Sequence, residues 1–332
     1  MVVSFSGLLI LSGCRGLSVG TDTDMFVRYY TDIRGISDIK DYDNRFEFGF
    51  RLFSCILAQI RSDPHVLLFV SALITLCLLY YFFYTASDIP WYSVLMFIFL
   101  MFYYNSMCLL RQYIAIALTC MAYIFLTKKK KVWFVAFTVL AGSFHTSALV
   151  FLVMLPVSFV PLKKKNRYAF VAITVAGVLF AEYFIQLVVR LMPRYESFIT
   201  SDKYYLQNKL GTFMVAAVYL LFFVVIDCIF SHYYSDDDRT RLEYWVALIG
   251  FAISLASVQG WIISRIGTYF TIMSCVFMPN AISKIESKKV RLILGMSILA
   301  GCMAYNLVIF AFRPYWSGVI PYYFWNQAPV VF

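Results

Sequence analysis

Three ionisable side chains, Arg111, His145 and Arg265, stand in or against apolar stretches long enough to cross a bilayer. The stretches read YYNSMCLLRQYIAIALTCMAYIFL, WFVAFTVLAGSFHTSALVFLVML and QGWIISRIGTYFTIMSCVFM. A charged group at that depth is costly, so it marks a functional position facing the protein interior. Arginine offers a fixed fork of donors for phosphate oxygens and keeps its charge in a poor dielectric. Histidine titrates near neutral pH and can take a proton from a hydroxyl. Glu47, in the longest polar stretch, is a carboxylate near an outer cavity that could act as a general base. Arginines and a histidine around one pocket suit a diphosphate ligand. Each residue also has a plainer reading. Arg111 lies within a turn of a span's end and could snorkel, Arg265 could anchor at the interface, and His145 could be a satisfied core histidine. Gln112 cannot share a helix face with its neighbour Arg111, so the two are not one bidentate site.

The elements that must position these residues follow from composition. The chain of 332 residues is 62% apolar and 19% aromatic, and only 14% charged, against about 25% charged in a soluble domain. Apolar runs of about 20 residues recur from end to end, the pattern of an all-α polytopic membrane protein. A β-barrel would show short alternating segments instead. Apolar stretches fall near 1–14, 64–84, 90–107, 109–127, 132–144, 146–160, 168–191, 212–231, 242–262, 264–282 and 290–311. About eleven transmembrane or re-entrant helices are expected, in a single integral membrane domain over 1–332. Its outer loops would be 15–63, 192–211 and 312–332. Residues 1–14 have no basic n-region and no A-x-A site, so they read as a cut-short first span rather than a cleavable signal.

The net charge of +10 is concentrated in short clusters between apolar runs: Lys128 to Lys131, Lys163 to Lys165 with Arg167, and Lys284, Lys288, Lys289 and Arg291. That is the positive-inside pattern and argues for a lipid bilayer, not nucleic acid, as the partner. Residues 132–162 are too few for two full spans at about 1.5 Å per residue. Keeping the flanking lysines inside therefore requires a re-entrant hairpin turning at Ala141–Ser147, with His145 below the outer surface. On this topology the N-terminus is inside and the C-terminus outside. Asn105, Arg111, Gln112, His145, Gln259, Arg265 and Tyr269 then share the outer half of the membrane. A lipid diphosphate carrying a sugar suits such a set. The eight cysteines include no C-x-x-C pair, so no disulfide framework and no metal site is expected.

The loop 15–63 is rich in aromatic and aliphatic residues and should pack as short interfacial helices over a cavity mouth. Asp22 and Asp24 spell D-x-D, which tempts a metal-dependent glycosyltransferase reading, but a solvated loop explains three residues as well. Tyr322, Tyr323, Phe324 and Trp325 read as an interfacial belt or as platforms that stack on sugars. No internal repeat is evident, which weakens an inverted-repeat transporter.

The segments GTDTDMFVRYY, EFGFRLF, NSMCLLRQYIAIAL, GSFHTSALVFL, SRIGTYF and VIPYYF resemble the EpsG family of Wzy-type oligosaccharide polymerases, from about residue 13 to the C-terminus. The most specific part is Asn105, Arg111, Gln112 and Ala115, followed by Phe144, His145, Ser147 and Ala148. The resemblance implies a GT-C-like fold and glycosyl transfer on the outer face of the bacterial cytoplasmic membrane. The substrates would be oligosaccharide repeat units on undecaprenyl diphosphate, without metal or other cofactor and with inversion. Arg111 and Arg265 would stabilise the leaving diphosphate. His145 is the first choice of base and Glu47 the second. Asn105, Gln112, Asp22, Asp24, Tyr269 and Gln259 would contact substrate. A chain-length regulator and a flippase of the same pathway are expected partners, and O-antigen, capsule or exopolysaccharide the product. Two other classes stay open: a membrane O-acyltransferase, which leaves the arginines unexplained, and a flippase or transporter of lipid-linked glycan.

Overall fold

A computed structural model describes residues 1–33, 46–180, 183, 209–233, 237–257 and 261–327. Among the described residues the chain is helical and holds no strand; one isolated antiparallel bridge joins Arg15 to Phe324. A helix satisfies its own backbone polar groups, which is what an apolar chain in lipid requires. The helices are α1 (Val2–Gly13), α2 (Thr23–Asp32), α3 (Phe48–Ile60), α4 (His65–Ala86), α5 (Pro90–Phe99), α6 (Phe102–Cys108) and α7 (Leu110–Thr127). After these come α8 (Lys131–Phe144), a 3-10 helix (Thr146–Val153), α9 (Met154–Val157), α10 (Lys164–Leu179) and α11 (Lys209–Tyr233). The chain continues as α12 (Asp238–Ala256), α13 (Trp261–Thr271), α14 (Ser274–Ser283) and α15 (Lys288–Phe312).

Among the described residues, four helical stretches are long and apolar enough to cross a membrane: α4, α7, Ile263–Ser283 and α15. A fifth is added if α5 and α6, bent by 60°, count as one broken span. The expected number of about eleven rested on apolar stretches, and these differ in length once folded. Val2–Gly13, Lys131–Phe144 and Thr146–Val157 are apolar helices of 10–17 residues, short of the ~20 that cross a bilayer. α12 carries Asp238, Arg239, Arg241 and Glu243 within its first two turns.

The chain divides into two compact units, Met1–Leu149 with Glu286–Phe332, and Val150–Ile285. In the first, α7 is buried from Tyr113 to Ile124 and packs along α8 and α4, while α1 lies on α4 and α15 on α5. Proline opens α5 at its first turn, where its missing N–H costs nothing. The stretch 90–127 breaks twice, at Met101 (φ 68°) and at Leu109 (φ −102°, ψ 55°). The Asn306 amide donates to the Ile98 carbonyl at 3.3 Å beside the first break. The second break sets Leu110 as the start of α7 and puts Arg111 in its first turn.

The region expected as an outer loop, 15–63, does contain helices, α2 and α3. Arg15 is fully buried, and its guanidinium donates to the carbonyls of Ser12, Val19 (3.2 Å) and Met107 (2.7 Å). Burial lowers its pKa to about 10. Carbonyls that end helices need donors, and this arginine supplies them to α1 and α6. The C-terminal tail is bonded to the same segment. Gly16 N–H donates to Tyr323 (2.9 Å), Gly20 N–H to Gly318 (2.8 Å) and Trp325 N–H to Cys14 (3.0 Å). In the second unit α12 packs on α11 and α13. There the buried Glu243 carboxylate accepts from Arg239 at 3.0 Å and from Asn280 at 2.6 Å.

Candidate active site

The site is built where α3 begins. Phe46 and Phe50 sit in an aromatic cluster with Phe26 and Tyr29; Tyr29 and Phe46 have ring centroids 4.6 Å apart and Phe46 and Phe50 5.6 Å. This cluster fixes the residue between them, Glu47, at the N-cap of α3 (φ −66°, ψ 151°). Two contacts then bring α3 to the end of α8. Phe53 packs on Phe144 with centroids 6.1 Å apart. Gly49 lies against Ser143, where an added Cβ would stand 2.7 Å from the Ser143 carbonyl oxygen. Only glycine permits that approach.

At the end of α8 the helix stops at Phe144 and His145 turns extended (φ −154°, ψ 110°) before the 3-10 helix begins at Thr146. The break falls inside the turn that the lysine spacing predicts. Arg111, in the first turn of α7, reaches the same point because α7 packs along α8.

Glu47 is the hub. Oε2 accepts from Arg111 Nη1; Oε1 accepts from His145 Nδ1 at 3.1 Å and from the Thr146 N–H at 3.1 Å. The Arg111 guanidinium also lies over Phe46, 4.9 Å from its centroid, an arrangement that attracts cations to ring faces. The side chains of Glu47, Arg111 and His145 are 17%, 21% and 18% exposed. They are largely out of water yet reachable.

Burial alone would raise the Glu47 carboxyl. The His145 hydrogen bond, the Arg111 charge and the Thr146 amide outweigh it and hold the group down to about 2. Glu47 is therefore a carboxylate with little basicity at neutral pH. An ionised carboxylate only accepts, so the hydrogen on His145 sits on Nδ1. In the neutral ring that leaves Nε2 as the lone-pair nitrogen, the form of histidine that takes a proton. A carboxylate that fixes the tautomer and direction of an imidazole is a positioning group for a base.

Of the residues singled out from sequence, the structure brings together Glu47, Arg111 and His145. Gln112 is buried in α7 on another face, and Asn105 is half-buried in α6, its carbonyl accepting from Leu109 N–H at 2.9 Å. Asp24 pairs with Arg28 at 2.6 Å on an exposed face of α2, and Asp22 immediately precedes that helix. Arg265 and Tyr269 lie one turn apart on α13, in the second unit. Gln259 lies outside the described residues. Sequence reasoning missed Phe46, Gly49 and Thr146. The one available signal was a glycine inside a helical pattern two residues after an acid, which marks close backbone approach.

An apolar helical chain with spans of bilayer length, carrying a part-buried arginine–glutamate–histidine cluster, defines a membrane protein with a polar cluster in its fold. The EpsG family matches residues 1–324, nearly the whole chain, and the chain belongs to that family. EpsG is a family of Wzy-like polymerases, so the protein is a polysaccharide-polymerase-like membrane enzyme. No curated protein and no solved structure matches the chain.

Proposed function

We propose that the protein joins oligosaccharide repeat units carried on undecaprenyl diphosphate, on the outer face of the bacterial cytoplasmic membrane, through the Glu47–Arg111–His145 cluster. The observation that carries this reading is one carboxylate bonded at once to a phosphate-type arginine and to a base-type histidine. An acceptor hydroxyl attacks the anomeric carbon of the donor glycan. Its proton passes to His145 Nε2, the new glycosidic C–O bond forms, and the C–O bond to the lipid diphosphate breaks with inversion. The leaving group takes the bonding pair, and a preorganised cation stabilises that charge where it develops. Arg111 uses Nη1 on Glu47 and keeps its other donors for the diphosphate. Glu47 is a positioning residue on this reading.

Arg265 is assigned as the second cation, and Asn105, Gln112, Asp22, Asp24, Tyr269 and Gln259 as substrate contacts, on the sequence alone. Donor and acceptor already carry the activated group, so no nucleotide sugar and no metal is required. The fold would be GT-C-like, with the shorter apolar helices completing the passes. A flippase and a chain-length regulator would act beside the enzyme on the way to O-antigen, capsule or exopolysaccharide. Deleting the gene and sizing the glycan on a gel tests the reading. A polymerase leaves one repeat unit per carrier on the outer face. A flippase leaves none exposed, and an O-acyltransferase leaves full-length polymer lacking acyl groups.

A further inference from the structure

A second carboxylate–histidine pair takes no part in the Glu47 site. Asp63 and His65 flank Pro64 at the start of α4. His65 N–H donates to Asp63 Oδ1 at 3.0 Å, and His65 Nδ1 lies 2.8 Å from the same oxygen. The carboxylate accepts, so the ring hydrogen is on Nδ1 and Nε2 is an acceptor. That Nε2 is buried and has no hydrogen-bond partner among the described residues. An unmet buried acceptor carries a desolvation cost and calls for an explanation.

The indole of Trp325 stands edge-on to this ring, with centroids 5.4 Å apart and planes at 77°. It is 56% exposed, yet it is not on a free tail. Trp325 N–H donates to the Cys14 carbonyl at 3.0 Å, and Phe324 N–H to the Gln327 side chain at 3.0 Å. An exposed flat apolar face thus stands against a buried acceptor that has no partner among the described residues, with Asp63 and the exposed Arg61 alongside. Sugars present that combination in reverse, an apolar ring face edged by hydroxyls. A membrane-anchoring indole would explain the exposed face but not the unfilled nitrogen.

We propose that His65 and Trp325, with Asp63 orienting the imidazole, form a glycan-contact subsite separate from the Glu47 cluster. The inference rests on the polymerase reading and extends it to substrate length. Glu47 immediately precedes α3 and Arg61 immediately follows it; at about 1.5 Å per residue the helix puts Glu47 and Arg61, which stands beside Asp63, about 20 Å apart. That span suits an oligosaccharide, with the reacting bond at His145 and a sugar further along the same glycan on Trp325.

The test uses full-length protein purified in detergent and oligosaccharides released by mild acid from the surface polysaccharide of the producing strain. Binding is followed by titration calorimetry. The expected result is at least tenfold weaker binding by Trp325→Ala and a clear loss in His65→Gln, each with a wild-type melting temperature. Wild-type binding by both Trp325→Ala and His65→Gln overturns the subsite, as does absence of binding by the wild type. If Trp325→Ala binds normally but is less abundant in membranes, the indole is an interface anchor and the inference fails. Polymer growth that persists in the gene deletion would instead sink the polymerase reading, which separates the two failures.

Discussion

Gly49 and Ser143 approach so closely that a single added carbon on Gly49 would stand 2.7 Å from the Ser143 carbonyl oxygen. That contact holds the start of α3 against the end of α8, and with it Glu47 against His145. Alanine inside a helix ordinarily stabilises by roughly 0.5–1 kcal/mol over glycine. At Gly49 the crowding should reverse the sign, costing about 1–3 kcal/mol. We expect Gly49→Ala to melt lower in detergent and to lose at least tenfold in polymer yield. Gly301→Ala, with open space around it, should be neutral or slightly stabilising. Equal melting temperatures for Gly49→Ala and wild type would show that the close approach does not matter.

The Glu47 carboxyl is held at about 2, below its ordinary 4.5. A depressed carboxylate stabilises the fold fully above its unfolded pKa, and that contribution is lost as pH falls through the folded one. The wild type should therefore lose stability relative to Glu47→Gln between about pH 4.5 and pH 2. Above that window their difference should be constant. Melting curves of both proteins across the range check this, and parallel curves throughout would refute the ion-pair account of Glu47.

Arg111→Lys keeps the charge and discards the fork. Lysine cannot serve Glu47, Phe46 and a diphosphate together, because its donors share one nitrogen. We expect at least a tenfold loss of polymer with normal abundance in the membrane. Full polymer length in this variant would remove the arginine from the mechanism.

Arg15 bonds three backbone carbonyls from the protein interior. Arg15→Met should leave those carbonyls unmet, at a cost on the order of 3 kcal/mol. The loss should appear as a lower melting temperature and faster proteolysis of the C-terminal tail, which is bonded to residues 14–20. Unchanged proteolysis would mean that the tail is held by its own backbone bonds alone.

Much of the helical plan was legible because its signals are local. Pro64 and Pro90 mark the starts of α4 and α5, and Lys128 to Lys131 mark the gap between α7 and α8. The break at His145 could be read from the spacing of lysines on either side. The hub was not legible in the same way. Glu47 lies 64 positions from Arg111 and 98 from His145, and nothing near it in sequence distinguishes a positioning carboxylate from a base. Its contacts form only when the Phe26–Tyr29–Phe46–Phe50 cluster folds it onto two distant helices. Arg15 likewise carries no local sign of its burial. It follows an apolar run directly, as a loop residue would, while its partners at Val19 and Met107 are set by tertiary packing.

The central claim is that His145, oriented by Glu47, takes the proton of the attacking hydroxyl. The direct measurement is glycan sizing in a gene-deletion strain complemented with His145→Gln, which can still bond Glu47 but cannot serve as a base. The account predicts one repeat unit per lipid carrier at wild-type membrane abundance of the protein. A full-length polymer ladder from that strain would contradict it.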